Sequence, residues 1–237
     1  AGLDIYDARI VSTHFDAIKG RFPNSKRTLK LKATVLEGQG HFENEEKILK
    51  AILKDEPTDV VARKRRVAML KSQGRHDQAI AALNTYLRCF MADEEAWLDL
   101  ANMYIRAGLI EQAVFCLEDV LLADRYNMHM FTKYADAMYT QGDYITAKKY
   151  YVYSLSISSG VRNIRALFGL CQACSVLEIT KAAVPQTQNQ RLFEWGERTI
   201  IRHYLTADKT KLDTVVTALM SLRPDDATLG NSSKKKK

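Results

Sequence analysis

The sequence predicts an all-α fold of stacked helical hairpins, and three observations carry that prediction. Trp97, Leu100, Ala101 and Tyr104 stand at i, i+3, i+4 and i+7, which places them on one face of a helix. Gly108 then interrupts, and a second apolar face follows in Ala113, Leu117 and Val120. Glycine lowers helix stability by about 1 kcal/mol against alanine and accepts turn dihedrals, so the segment reads as helix, turn, helix. The same features then return along the chain at a fixed interval. Gly40, Gly74, Gly108 and Gly142 form one column, Ala79, Ala113 and Ala147 a second, and Ala33, Val67, Ala101, Ala135 and Gly169 a third. Independent columns that agree on one period mark a repeat array.

The pattern W-x-x-L-A-x-x-Y, then a turn glycine, then alanine resembles the tetratricopeptide repeat, a helix–turn–helix unit of about 34 residues. The expected fold is therefore an all-α tetratricopeptide-repeat solenoid of stacked helical hairpins with C-terminal capping helices. Each hairpin of such an array buries its faces against its neighbours rather than in one central core. The composition agrees: of 237 residues, 46% are hydrophobic and 27% charged, and only four prolines interrupt the chain.

Taken in order, residues 1–25 read as half a repeat, the second helix of a truncated hairpin. Val11, Phe15 and Ile18 share its apolar face, in register with Glu45, Leu49 and Ile52 of the next hairpin. An unpartnered second helix exposes that face, which leads to the expectation that the natural protein continues upstream. Four full hairpins follow within residues 26–159, at about 26–57, 60–91, 94–125 and 128–159, with Asp93 a fitting N-cap for the third. The second hairpin departs from the pattern: Arg63 and Arg66 stand where Trp97 and Leu100 stand one repeat later. Their aliphatic stems can cover apolar surface while the charged heads reach out. A charge at a helix seam needs a partner, so Arg63 or Arg66 is expected to find a carboxylate or a helix C-terminal carbonyl. Lys64 is expected to stay free.

Residues 160–222 read as a divergent fifth hairpin and capping helices. Val176 replaces the expected turn glycine, residues 186–190 read as part of a loop, and helices are expected at about 189–205 and 208–222. A terminal repeat needs such a cap because no neighbour buries its last apolar face. Residues 223–237 read as a disordered tail. The run Lys234 to Lys237, a disordered extension or an expression remnant, supplies four of the seven net positive charges, so the remaining balance is unremarkable.

Several function classes find no support. No apolar run reaches the roughly 18 residues of a membrane span, and the first residues, with early acidic groups, do not resemble a secretory signal. Four scattered cysteines fit a reducing compartment. Cys171 and Cys174 match C-x-x-C, but no second ligand pair stands at a zinc spacing, and their mid-helix position suits packing better than redox chemistry. No H-E-x-x-H, G-x-S-x-G or phosphate loop occurs, and no catalytic residue, metal site or cofactor is expected. The densest basic segment, Arg63-Lys64-Arg65-Arg66 with Lys26, Arg27, Lys30 and Lys32, has no interleaved aromatic residues to stack bases. An acidic partner or lipid headgroups suit it better than nucleic acid.

Tetratricopeptide arrays resemble one another in displaying the first helix of each hairpin on a concave groove. In this register the partner-binding candidates are Lys30, Lys64, Leu98, Asn102, Ile105, Tyr139 and Leu170. One subfamily clamps acidic C-terminal peptides of chaperones with groove lysines and asparagines. Here Ala68 and Asp99 stand where that clamp needs asparagine, and in the next register Leu98 replaces the lysine, so the clamp is incomplete.

Five segments go beyond the generic repeat: D-E-P-T-D-V-V-A-R-K-R-R-V-A (55–68), D-E-E-A-W-L-D-L-A-N-M-Y-I (93–105), A-V-F-C-L-E-D (113–119), Y-A-D-A-M-Y-T-Q-G (134–142) and N-I-R-A-L-F-G-L (163–170). They resemble the family of the second subunit of the ER membrane protein complex, over about residues 15–175. The resemblance implies a non-catalytic cytosolic scaffold held peripherally at the cytoplasmic face of the endoplasmic reticulum membrane. Its partners would be the third, fifth and eighth/ninth-type subunits, in a hetero-oligomer that supports insertion of transmembrane helices. The alternative is a tetratricopeptide co-chaperone or adaptor that binds peptide segments in its groove.

Overall fold

Local sequence chemistry sets the helix ends. The computed structural model describes residues 8–23, 25–157, 163–180 and 186–223, and these contain twelve α-helices, one short 3-10 helix and no strand. In order they are α1 (Ala8–Arg21), α2 (Lys26–Gly38), α3 (Phe42–Asp55), α4 (Val60–Ser72), α5 (His76–Leu87) and α6 (Glu94–Arg106). There follow α7 (Ile110–Ala123), α8 (Met128–Gln141), α9 (Tyr144–Ile157), α10 (Ile164–Ile179), α11 (Gln186–Ala207) and α12 (Leu212–Ser221). Gly40, Gly74, Gly108 and Gly142 each adopt a left-handed backbone, φ between 71° and 94°, which only glycine takes without strain and which turns each first helix into its second. The starts of the first helices recur at the same period as these turns. Asp59 Oδ1 accepts from the Ala62 amide at 2.9 Å, Asp93 Oδ1 from Ala96 at 3.2 Å, and Asn127 Oδ1 from His129 at 3.2 Å.

The chain forms two compact units, Ala1–Ala96 and Trp97–Lys237, with the boundary inside α6. In the first unit α2 packs on α3 and α4 on α5. Its core holds Ala33, Leu49, Ile52, Val67, Leu70, Ala79 and Leu83. The alanine and valine columns lie here because a small side chain lets paired helices approach closely. One member breaks the column. Glu45, at the place that Ala79, Ala113 and Ala147 occupy in later hairpins, is fully enclosed, and neither carboxylate oxygen has a hydrogen-bond partner.

In the second unit α8 packs on α9, α9 on α10 and α10 on α11. Helix α10 is buried nearly all round, with Ala166, Leu167, Leu170, Cys171, Ala173 and Cys174 all enclosed. Gly169 has to be glycine for a packing reason, since a Cβ there would stand 2.4 Å from Tyr151 Cζ. Asn163 caps α10 through the Ala166 amide at 3.1 Å and donates to Thr132 at 2.7 Å and Ser154 at 2.9 Å, joining α8, α9 and α10 in one buried network. Burial pushes the Cys171 and Cys174 thiols up to about 12, so the C-x-x-C pair is inert packing.

Two expectations shift. Residues 186–190 are the first turns of α11 rather than loop, because Asn189 is buried and accepts from Lys148 Nζ at 2.8 Å, anchoring a polar run that propensity alone leaves open. Trp97, expected to be buried as part of the apolar face that stacked hairpins enclose, is half-buried and lies edge-on to Phe115 with ring centroids 6.2 Å apart. The lysine run expected as a tail lies outside the described residues.

Candidate partner-binding surface

The seven candidate positions fall into two chemically different groups, one in each unit. In the first unit, Lys30 of α2 forms an ion pair with Asp59, and Lys64 of α4 with Asp93 at 2.7 Å. Both pairs span the same interval along the chain, so they are one interaction repeated. A lysine on a first helix reaches the aspartate that caps the next hairpin. Lys64 also approaches Glu95 at 3.6 Å, and Tyr86 donates to the same Asp93 at 2.5 Å. Burial pushes Asp59 and Asp93 up, but the paired lysines and the capped amides outweigh it and hold both below the usual carboxylate range. Burial and Asp93 together raise the Tyr86 phenol to about 12.

The expectation that Lys64 stands free is therefore corrected: its ammonium is committed within the chain. Arg63 behaves as expected, donating through Nε to the Pro57 carbonyl at 2.6 Å and lying 3.5 Å from the Thr85 carbonyl in the last turn of α5. Arg65 pairs with Glu37 at 2.6 Å. Arg66 differs in making no ion pair among the described residues, while the Nε atoms of Arg65 and Arg66 are both buried without an acceptor.

In the second unit, Leu98, Asn102 and Ile105 of α6 and Tyr139 of α8 are half-buried. Lys133 Nζ of α8 donates to Asn102 Oδ1 at 2.8 Å, which sets these first helices side by side and brings the four residues onto neighbouring helices. Tyr139 lies edge-on to Tyr144, centroids 5.1 Å apart. Leu170 does not join them. It is fully enclosed in the α9–α10–α11 core and offers no surface to a partner, a second correction. Its helical position predicts a first-helix face, but the helices that follow α10 cover that face.

Two features escaped the reading of the sequence. Glu45 was visible as an acidic residue in an alanine column. Arg63 and Arg66 of α4 line one cleft with Ala81 and Ala82 of α5, and no local pattern announces a site shared between different helices. Among the described residues no helix is long and apolar enough to cross a membrane.

Comparison with known proteins gives a consistent result. Residues 15–150 match the family model described as the EMC2 TPR-like repeat domain. The chain is 33% identical over 219 residues to ER membrane protein complex subunit 2-A of Xenopus laevis, covering 90% of this chain and 73% of that protein. It is 31% identical over 229 residues to ER membrane protein complex subunit 2 of Dictyostelium discoideum, covering 90% and 70%. Among solved structures, the C-terminal part of a TPR repeat-containing protein from Cytophaga hutchinsonii superposes with a TM-score of 0.63 at 14% identity, covering 92% of this chain and 90% of that one.

Proposed function

The chain belongs to the EMC2 family of tetratricopeptide-like repeat proteins, and from that premise we propose that it is a non-catalytic scaffold subunit of an ER membrane protein complex. It holds cytosolic parts of membrane-embedded subunits, of the third and fifth type, together with a soluble subunit of the eighth/ninth type, at the cytoplasmic face of the membrane. It contributes architecture to the insertion of transmembrane helices and does not itself form the insertion route.

The observation that carries the reading is the half-buried wall of Leu98, Ile105 and Tyr139, with Asn102 among them, on adjacent first helices of the second unit. Apolar and aromatic groups left at the surface of paired helices suit a polypeptide segment, whose burial removes them from water. The amide of Asn102 adds a polar group that can fix the orientation of such a segment.

Introducing Leu98→Glu with Tyr139→Glu into the full-length protein tests this. Purification in mild detergent should lose at least one partner while helical circular dichroism is unchanged. Recovery of every partner at wild-type levels would remove the wall from the reading.

A further inference from the structure

The first unit contains a cleft that the scaffold reading does not use and on which it does not depend. It opens between α3 and α5, over α4, with a volume of about 510 Å³. Leu53 of α3 and Ala81 and Ala82 of α5 form its apolar walls, and Arg63 and Arg66 of α4 enter it beside Gln78. No carboxylate is among the described residues that line it.

The repeat itself explains why the cleft is hollow. One period later Ala81 becomes Phe115 and Arg63 becomes Trp97, and there the two aromatic rings meet edge-on at 6.2 Å. The place that a pair of aromatic side chains fills in the third hairpin holds a methyl group and a guanidinium in the second. Arg63 is oriented by the Pro57 carbonyl at 2.6 Å. Arg66 makes no ion pair among the described residues, and its buried Nε lacks an acceptor. Its acidic neighbour Glu46, on which Arg66 acts only at longer range, forms its ion pairs with Lys50 at 2.8 Å and Arg75 at 3.9 Å. A buried guanidinium nitrogen without an acceptor is unfavourable until an anion supplies one.

We propose that this cleft receives a glutamate side chain of a partner polypeptide, its carboxylate between Arg63 and Arg66 and its methylene stem along Leu53 and Ala81. Guanidinium forks match a carboxylate in geometry and charge. The apolar walls of Leu53, Ala81 and Ala82 beside the two guanidinium groups suit an anion on a slender apolar stem, which a glutamate has and a free phosphate lacks. Ala81 and Ala82 leave room for the segment that carries it.

The test follows the arginine Nε–H signals of the ¹⁵N-labelled full chain during titration with N-acetylglutamate N-methylamide. The N-acetylglutamine analogue and inorganic phosphate serve as parallel arms. Saturable shifts of the Arg63 and Arg66 signals are expected with the glutamate probe only. Arg66→Met should weaken that response by about tenfold or more. Ala81→Phe, which restores the residue type of the next hairpin, should abolish it while helical content is retained. No saturable shift, an equal response to the glutamine analogue, tighter binding of phosphate, or binding that survives Ala81→Phe would each overturn the proposal.

Discussion

Replacing Glu45 by glutamine should make the protein more stable at alkaline pH and flatten its dependence on pH. The carboxyl of Glu45 is fully enclosed and neither oxygen is hydrogen-bonded. Burial, reinforced by the neighbouring Glu37 and opposed by Arg65, raises it from 4.5 to about 7. The folded state therefore holds this proton more tightly than the unfolded chain does. Above the unfolded value of 4.5 the unfolded chain releases the proton first, so stability falls as pH rises, and the loss is complete once pH passes about 7. A shift of this size corresponds to about 3 kcal/mol in full, most of which falls between roughly pH 5 and pH 8. Urea unfolding followed by helical circular dichroism at the two pH values, for the wild type and Glu45→Gln, isolates the term, because the other titrating groups are common to both. The wild type should lose about 2–3 kcal/mol more than the variant over that interval. Equal losses, within about 0.5 kcal/mol, would show that the carboxyl is hydrated or paired in the folded protein and would refute the reasoning.

Two further outcomes follow from packing in the second unit. Gly169→Ala should cost about 1–3 kcal/mol in urea unfolding, because the new methyl would meet Tyr151, which is itself buried and held by Asp136 at 2.7 Å; a neutral substitution would mean that α9 and α10 do not approach so closely. Asn163→Ala removes the α10 cap and strands the hydroxyls of Thr132 and Ser154, so a loss of about 2 kcal/mol or more is expected by the same measurement, and Asn163→Asp should recover the capping part of it.

What the sequence by itself determined is what each hairpin must solve locally and therefore solves in the same way each time. A left-handed turn admits glycine, so Gly40, Gly74, Gly108 and Gly142 are legible from spacing alone. A close helix pair admits alanine, so Ala79, Ala113 and Ala147 are legible as buried, and Asp93 as a cap follows from orphan amides, to which the structure adds Asp59 and Asn127 at the same interval. The tertiary structure alone decided which surface groups remain for a partner. Lys30 and Lys64 occupy groove positions by period, and Lys64 is expected to stay free, yet each meets a carboxylate at the start of the following hairpin. Leu170 occupies a groove position by period, yet the helices after it enclose it. Arg66 lies on a seam that should have satisfied it, yet Ala81 on another helix leaves it facing a cleft. In each case the deciding atom belongs to a different helix. The repeat period records what a hairpin demands of itself, whereas exposure and charge pairing are set by whichever side chains the neighbouring helices bring.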